Sequence, residues 1–155
     1  MAGSSIRLVP KVRVSTTVER SIAEVWRWYA VEHVRNHPRW DPDMELEQIS
    51  EGPIGLGTRI RRRNRHFGEP IDGEMEIVEW EPEHVMGARI KDANADTTGR
   101  VTFESLGPST TRLSVEADFP NLDASKVEHL RPLIERSYSN IRQLIESDDG
   151  DASHA

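Results

Sequence analysis

The chain is 155 residues long, with 35% hydrophobic and 30% charged residues and a formal net charge of -7. This composition indicates one folded domain with a single core and excludes an intrinsically disordered chain. The acidic balance argues against binding to nucleic acid or to an anionic membrane as the main role. Because cysteine is absent, disulfides, thiolate metal sites and cysteine nucleophiles are excluded.

Targeting and membrane signals are not found either. Residues 1–10 lack the apolar core of a secretory signal, and no apolar run approaches the length of a membrane span. We therefore expect a cytoplasmic protein without stable membrane insertion. The expected boundaries are a flexible lead-in over residues 1–10, a single domain over residues 11–147 and a disordered tail over residues 148–155.

The predicted elements begin with a strand that runs directly into a capped helix. Apolar and polar residues alternate in Lys11–Val18, which predicts a half-buried strand. Ser21 and Glu24 have the spacing of a capping box, so a helix is predicted over residues 21–29. Trp26 falls on the apolar stripe of this helix and is expected in the core.

A second helical turn is predicted over residues 31–36. It should end by His37, because the residue before a proline disfavours helical dihedral angles and Pro38 follows. Trp40 is then expected in a proline-flanked loop. His33 and His37 have the spacing of two metal ligands, but the proline and the absence of an H-E-x-x-H pattern favour side chains that rim a cavity or meet solvent.

Six further strands are predicted as a meander with short turns. Their expected bounds are residues 45–51, 58–67, 69–81, 84–92, 99–106 and 110–119. Even spacing and short turns predict an antiparallel sheet. Val78 breaks the alternation of its strand, so a bulge is predicted beside Ile77.

The last predicted element is a long amphipathic helix over residues 123–147. Its apolar stripe consists of Val127, Leu130, Ile134, Tyr138, Ile141 and Ile145. Pro132 lies inside this pattern. A kink or a new helix start is expected there, because proline removes an amide and clashes with the preceding turn.

The order of these elements resembles the START-like (SRPBCC) superfamily, in particular its polyketide cyclase/dehydrase-like branch. The shared pieces are Val25-Trp26, Trp40-Asp41-Pro42, residues 55–59, residues 77–82 and the final helix. The resemblance implies an α+β helix-grip fold, with a curved antiparallel sheet of about seven strands around the C-terminal helix and one or two short helices after the first strand. It also implies an apolar cavity between sheet and helix, in a family whose members bind lipids, quinones or polyketides or act as cyclases.

The strand predicted over residues 58–67 is the most unusual segment, because polar side chains continue its apolar face. These are Arg62, Asn64 and His66. If the apolar part of that face lines the cavity, Arg62 would hold a carboxylate or an enolate and His66 would exchange a proton. The alternative is an exposed strand end whose arginines pair with glutamates of the next strand.

We predict that the protein binds a hydrophobic or amphipathic small molecule, such as a lipid, polyketide or quinone, in that cavity. Arg62, Asn64 and His66 would orient it, against a lining of Trp28, Trp40, Met75, Ile77, Met86, Ala88, Val101, Phe103, Leu113, Val115, Leu130, Ile134 and Tyr138. One alternative is a cyclase or dehydratase with His66 and Arg62 as catalytic residues, and another is a protein-interaction module. No cofactor, metal or nucleic-acid partner is expected, and the protein would be a monomer or a homodimer.

Overall fold

Seven antiparallel strands form one sheet in the computed structural model, which describes residues 11–93 and 95–148. The strands are β1 (Lys11–Val18), β2 (Met44–Gln48), β3 (Arg59–Asn64), β4 (Ile71–Glu81), β5 (Val85–Asp92), β6 (Asp96–Gly107) and β7 (Thr110–Asp118). Their order across the sheet is β1-β7-β6-β5-β4-β3-β2, so the first strand lies beside the last. The predicted antiparallel meander is confirmed.

The helices lie before and after this meander. α1 (Ile22–Trp26) continues through a π-helical turn, Arg27–Val31, and is followed by α2 (His33–Trp40), while α3 (Ala124–Ser147) is the long C-terminal helix. α3 packs against β1 and α2, and its apolar stripe faces the inner surface of the sheet. The predicted α+β helix-grip fold is therefore confirmed.

Both predicted helix starts have side-chain caps. The hydroxyl of Ser21 accepts the Glu24 amide at 3.3 Å and donates to the Glu24 carboxylate at 3.0 Å. Asp123 accepts the Lys126 amide at 3.0 Å at the start of α3. These bonds satisfy amides that have no partner inside the helix.

Proline ends neither of the helices that contain it. α2 extends through Pro38, so Trp40 is helical and buried, and its predicted position in a loop is wrong. Pro38 removes one helical hydrogen bond, but Trp40 stacks on Tyr29 at 4.9 Å between ring centroids, and burial of its indole offsets that loss. α3 likewise runs as one helix through Pro132, and no new helix starts there.

The predicted bulge in β4 is confirmed. The register between β4 and β5 shifts between Ile77 and Glu79. Because the extra residue resets the alternation, Val78 points outward while Ile77 is fully buried. Trp80 then returns to the interior, where it packs edge-on against Trp26 at 4.9 Å.

Between the sheet and α3, the interior is packed at one end and hollow at the other. From the packed end to the hollow end, the side chains of the inward-facing cross-strand pairs of β6 and β7 become smaller. The pairs are Phe103–Leu113, then Val101–Val115, then Gly99–Ala117. At the large end Trp26 packs edge-on against Phe103 at 4.9 Å. At the small end the strands leave a cavity.

The predicted lead-in over residues 1–10 lies outside the described residues, as does the predicted tail apart from Asp148. That residue caps the C-terminus of α3, and its carboxylate accepts hydrogen bonds from Trp28 Nε1 at 2.7 Å and from Arg39 at 2.9 Å. The division into a single domain over residues 11–147 stays a prediction. Within the described part of the chain, no helix is long and apolar enough to cross a membrane.

Candidate ligand-binding cavity

A cavity of about 210 Å³ lies between the inner face of the sheet, α2 and α3. Most of the side chains predicted to contact a ligand line it, namely Trp40, Arg62, Asn64, His66, Met75, Met86, Ala88, Val101, Val115, Leu130, Ile134 and Tyr138. Their contact with a ligand stays a prediction. An apolar cavity of about 150 Å³ accommodates benzene, so this one has room for a body somewhat larger than one ring.

Four of the predicted lining residues do not reach the cavity. Ile77, Phe103 and Leu113 belong to the packed end of the interior. Trp28 instead packs against Trp40 at 5.6 Å and donates its indole hydrogen to Asp148. The sequence pattern identifies the inward face of each strand, but the point along that face where packing stops depends on the side chains of neighbouring strands.

The arginines in and just after β3 divide between two faces. Those that point outward form ion pairs, Arg59 with Glu74 at 2.7 Å, Arg61 with Glu47 at 2.8 Å, Arg63 with Asp72 at 2.7 Å and Arg65 with Glu45 at 3.0 Å. Exposed pairs of this kind contribute little to stability, because water and salt screen them. Their main consequence is that the outer face of the strand is neutralised locally. The predicted pairing of arginines with Glu74 and Glu76 of the next strand is confirmed for Arg59 with Glu74.

Arg62 points the other way, into the cavity. Among the described residues it has no ion pair; its Nε is buried without a hydrogen-bond partner and its Nη2 meets Met44 Sδ at 3.4 Å. Burial lowers the pKa of Arg62, while the negative charges of Asp92 and Asp41 oppose that shift. A buried guanidinium whose Nε has no hydrogen-bond partner and which forms no direct ion pair is suited to bind an anionic or strongly polar oxygen of a ligand.

His66 and Asp41 meet at the cavity wall, although they are separated by 25 positions in the sequence. β3 ends at Asn64 and not at residue 67, so His66 lies in the turn that follows, where its amide donates to Asn64 Oδ1 at 3.3 Å. Its Nε2 lies 2.7 Å from Asp41 Oδ2, and the two side chains are 16% and 15% exposed. A carboxylate that holds one ring nitrogen orients the imidazole and leaves the other nitrogen for a further partner.

His33 and His37 line the same cavity, and His33 is buried. Of the two placements expected for these side chains, at a cavity or in solvent, the structure shows the cavity. The continuous α2 places them one turn apart, with His33 Nδ1 3.0 Å from the Tyr29 carbonyl oxygen and His37 Nδ1 3.1 Å from His33 Nε2. Burial lowers the pKa of His33 to about 4 and holds the pKa of His37 well below its usual range. In the described residues, no three His, Cys, Asp or Glu side chains are placed to hold a metal ion.

The hydroxyl of Tyr138 bonds to another tyrosine and not to a backbone carbonyl. Its oxygen lies 2.8 Å from that of Tyr29, which comes from the π-helical turn. Burial raises the pKa of Tyr29 to about 12 and that of Tyr138 well above its usual range, so both stay protonated. One hydroxyl hydrogen joins the pair, and the other remains available to a ligand.

Comparison with known proteins identifies the family to which this chain belongs. Residues 9–146 match the family described as polyketide cyclase / dehydrase and lipid transport. The chain belongs to this family. No curated protein matches it.

Solved structures agree on the fold of this family member. It is similar to a START superfamily protein from Mycobacterium smegmatis, at 14% identity and a TM-score of 0.75 over 88% of this chain and 97% of the other. It is also similar to the Zhui aromatase/cyclase from Streptomyces sp. R1128, at 18% identity and a TM-score of 0.71 over 89% and 94% of the two chains. Norcoclaurine synthase from Thalictrum flavum matches at 13% identity and a TM-score of 0.69, over 92% and 97%. At these identities the similarity shows the fold alone.

Proposed function

We propose that this member of the polyketide cyclase/dehydrase and lipid transport family binds a compact amphipathic small molecule. Its apolar body would occupy the cavity, and an anionic or carbonyl oxygen would bind Arg62. The observation that carries this proposal is the guanidinium of Arg62, which stands at the wall of an apolar cavity without an ion pair among the described residues. Burying a charged group without hydrogen-bond partners lowers stability, and a ligand oxygen bound to Arg62 would offset that loss.

The volume of the cavity narrows the class of ligand. Drug-sized ligands occupy pockets of roughly 300–1,000 Å³, whereas this cavity holds about 210 Å³. A body of one or two rings fits that space better than a long acyl chain or a tetracyclic product. Among the predicted ligands, a small polyketide or quinone is therefore favoured over a lipid.

The test of this proposal uses 2-naphthoate, which combines two rings with a carboxylate. Binding is measured by isothermal titration calorimetry for the wild type, for Arg62→Met and for Arg61→Met. Arg61 lies next in the strand but pairs with Glu47 on the outer face, so its variant is the matched control. A hydrogen bond to a charged group contributes about 1.5–3 kcal/mol, so Arg62→Met should weaken binding at least about tenfold. Equal binding by the two variants would contradict the proposal.

A second candidate function is proton transfer, which the Asp41–His66 pair favours. His66 would take a proton from the carbon beside a ketone, the C–H electron pair would form the enolate double bond, and the resulting oxyanion would bind Arg62. Similar folds occur in proteins named as an aromatase/cyclase and as norcoclaurine synthase. The similarity in fold is an analogy, and the pair itself is the argument.

This candidate is tested with 2-tetralone in D₂O, whose α-hydrogens exchange through the enolate. Exchange is followed by NMR for the wild type, His66→Phe, Asp41→Asn and the control Arg61→Met. We expect acceleration by the wild type and the control, and its loss in the other two variants. Exchange no faster than in buffer would reject proton transfer and leave the binding proposal standing.

A further inference from the structure

The two cavity histidines form a hydrogen-bonded series whose directions are fixed by chemistry. A carbonyl oxygen only accepts, so His33 Nδ1 must donate its hydrogen to the oxygen of Tyr29, 3.0 Å away. Burial lowers the pKa of His33 to about 4, so this ring is neutral near pH 7 and its Nε2 is unprotonated. His37 Nδ1, at 3.1 Å, must then donate to that Nε2.

The same reasoning determines whether the remaining ring nitrogen of His37, Nε2, carries a hydrogen. Burial holds the pKa of His37 well below its usual range, and repulsion from the positive charge of Arg62 acts in the same direction. A neutral ring that donates through Nδ1 carries its lone pair on Nε2. No other described residue bonds to that nitrogen, and the ring, stacked on Trp40 at 4.7 Å, lines the cavity.

We infer that His37 determines ligand specificity by accepting, through Nε2, a hydrogen bond from a hydroxyl group of the bound molecule. The ligand would then be a phenol or an enol that also presents an oxygen to Arg62. This inference rests on the proposed binding function and deepens it. A molecule with an ether or a hydrogen in place of that hydroxyl leaves the acceptor unpaired, which a site of this kind discriminates against.

His37 would act in recognition and not as the base of a reaction. An imidazole with a strongly lowered pKa accepts a hydrogen bond but gives up a transferred proton readily, and an efficient base has a pKa near the working pH. Its role therefore differs from that considered for His66, whose Nε2 lies 2.7 Å from Asp41 Oδ2.

The first test needs no ligand and no variant. Long-range ¹H–¹⁵N spectra of ¹⁵N-histidine-labelled protein at pH 7 report which ring nitrogen of each histidine carries hydrogen. We expect His33 and His37 both to be neutral and protonated at Nδ1. A protonated Nε2 on His37 would overturn the inference.

The second test compares 2-naphthol with 2-methoxynaphthalene, which lacks the hydroxyl hydrogen. Affinities are measured by NMR titration of the wild type, of His37→Phe, which keeps an aromatic ring on Trp40, and of His84→Phe. His84 is an exposed histidine in the turn between β4 and β5 and serves as the control. We expect the wild type and the control to prefer 2-naphthol about tenfold, the worth of one net hydrogen bond, and His37→Phe to lose that preference.

The outcomes separate this inference from the proposal on which it rests. No preference for 2-naphthol in the wild type, or a preference that survives in His37→Phe, overturns the role of His37. If 2-naphthoate still binds in an Arg62-dependent manner in that case, the binding function stands and the hydroxyl requirement alone is lost. If His37→Phe does not fold, the preference of the wild type and the position of the ring hydrogens decide the matter.

Discussion

The packed end and the hollow end of the interior are built from the same strands and differ in the side chains those strands present. At the packed end Phe103 and Leu113 face each other and are buried in one apolar cluster. Four residues further along β6 and β7, Gly99 faces Ala117 and the space between sheet and α3 is open. Decreasing side-chain volume along continuous strands therefore accounts for the cavity, without any break in the pairing of β6 with β7.

Polarity changes in the same direction. The inward face of β3 carries fully buried Ile60, then Arg62, then Asn64. The packed end contributes apolar burial, whereas the hollow end keeps a charge and hydrogen-bonding groups away from water, which costs free energy of folding. Stability and ligand recognition are thus assigned to opposite ends of one core, and substitutions can test that assignment.

The largest expected effect compares the same substitution at the two ends. Leu→Ala in a core costs about 2–5 kcal/mol, and the cost depends on the space left behind. Leu113 is fully buried at the packed end, so Leu113→Ala should lower the free energy of unfolding by about 4 kcal/mol. Leu130 already borders the cavity, so Leu130→Ala should lower it by about 2 kcal/mol. Urea denaturation of the two variants measures the difference. Equal losses would mean that the two ends contribute equally to stability.

Much of the fold could be predicted because its signals are local. Alternation identified β1, and a capping box identified the start of α1 at Ser21. A single break in alternation at Val78 identified the bulge. The continuation of α2 beyond His37 could not be predicted from Pro38 alone, because burial of Trp40 decides it and that burial involves residues distant in sequence.

The candidate site could be predicted only in part for the same reason. Arg62 and Asn64 share the inward face of β3, as alternation predicts, and His66 lines the same cavity from the turn that follows the strand. Tyr29 and Tyr138 are 109 residues apart in the sequence, so no local sequence pattern predicts the hydrogen bond between them. The histidine series was missed because it requires the helix to include His37, the residue before a proline. The i, i+4 spacing of the two histidines was its one signal in the sequence.

The second prediction concerns pH and measures part of the folding free energy that buried polar groups cost at the hollow end. Burial lowers the pKa of His33 from 6.5 to about 4, so between these values the unfolded chain binds a proton that the folded protein does not. The free energy of unfolding should therefore fall as the pH drops from 6.5 towards 4, by about 3 kcal/mol from this group. His33→Gln cannot titrate, and its free energy of unfolding should fall less over the same range.

Denaturation curves of the wild type and of His33→Gln at pH 7 and pH 4.5 measure this difference. Carboxylates titrate in both proteins, so they cancel in the comparison. The pKa of His37 is lowered in the same direction and remains in both proteins as well. Parallel pH profiles would show that His33 is not buried in its neutral form.

The third prediction is that removing a cavity charge stabilises the protein. Arg62 has a buried Nε without a partner, so Arg62→Met should raise the free energy of unfolding by about 1–3 kcal/mol, the cost of an unsatisfied buried polar group. Arg61→Met, on the exposed face, should change it by less than about 0.5 kcal/mol. The comparison of midpoints in urea, at equal slopes, measures both. A destabilised Arg62→Met would mean that the guanidinium contributes to the fold and is not kept at a cost.

The smallest expected effect comes from filling the hollow end. A Cβ added at Gly99 would meet no atom within 4 Å, and the same is true of Gly107 at the far end of β6. Valine favours a strand and restricts the unfolded chain, so Gly99→Val should stabilise the protein by up to about 1 kcal/mol.

Because Gly99 lines the cavity and Gly107 does not, Gly99→Val should also lose binding of 2-naphthoate while Gly107→Val keeps it. Thermal melting and calorimetry on both variants separate the two effects. Retained binding in a stabilised Gly99→Val would place the ligand elsewhere, since a side chain cannot occupy the space of the ligand without competing with it.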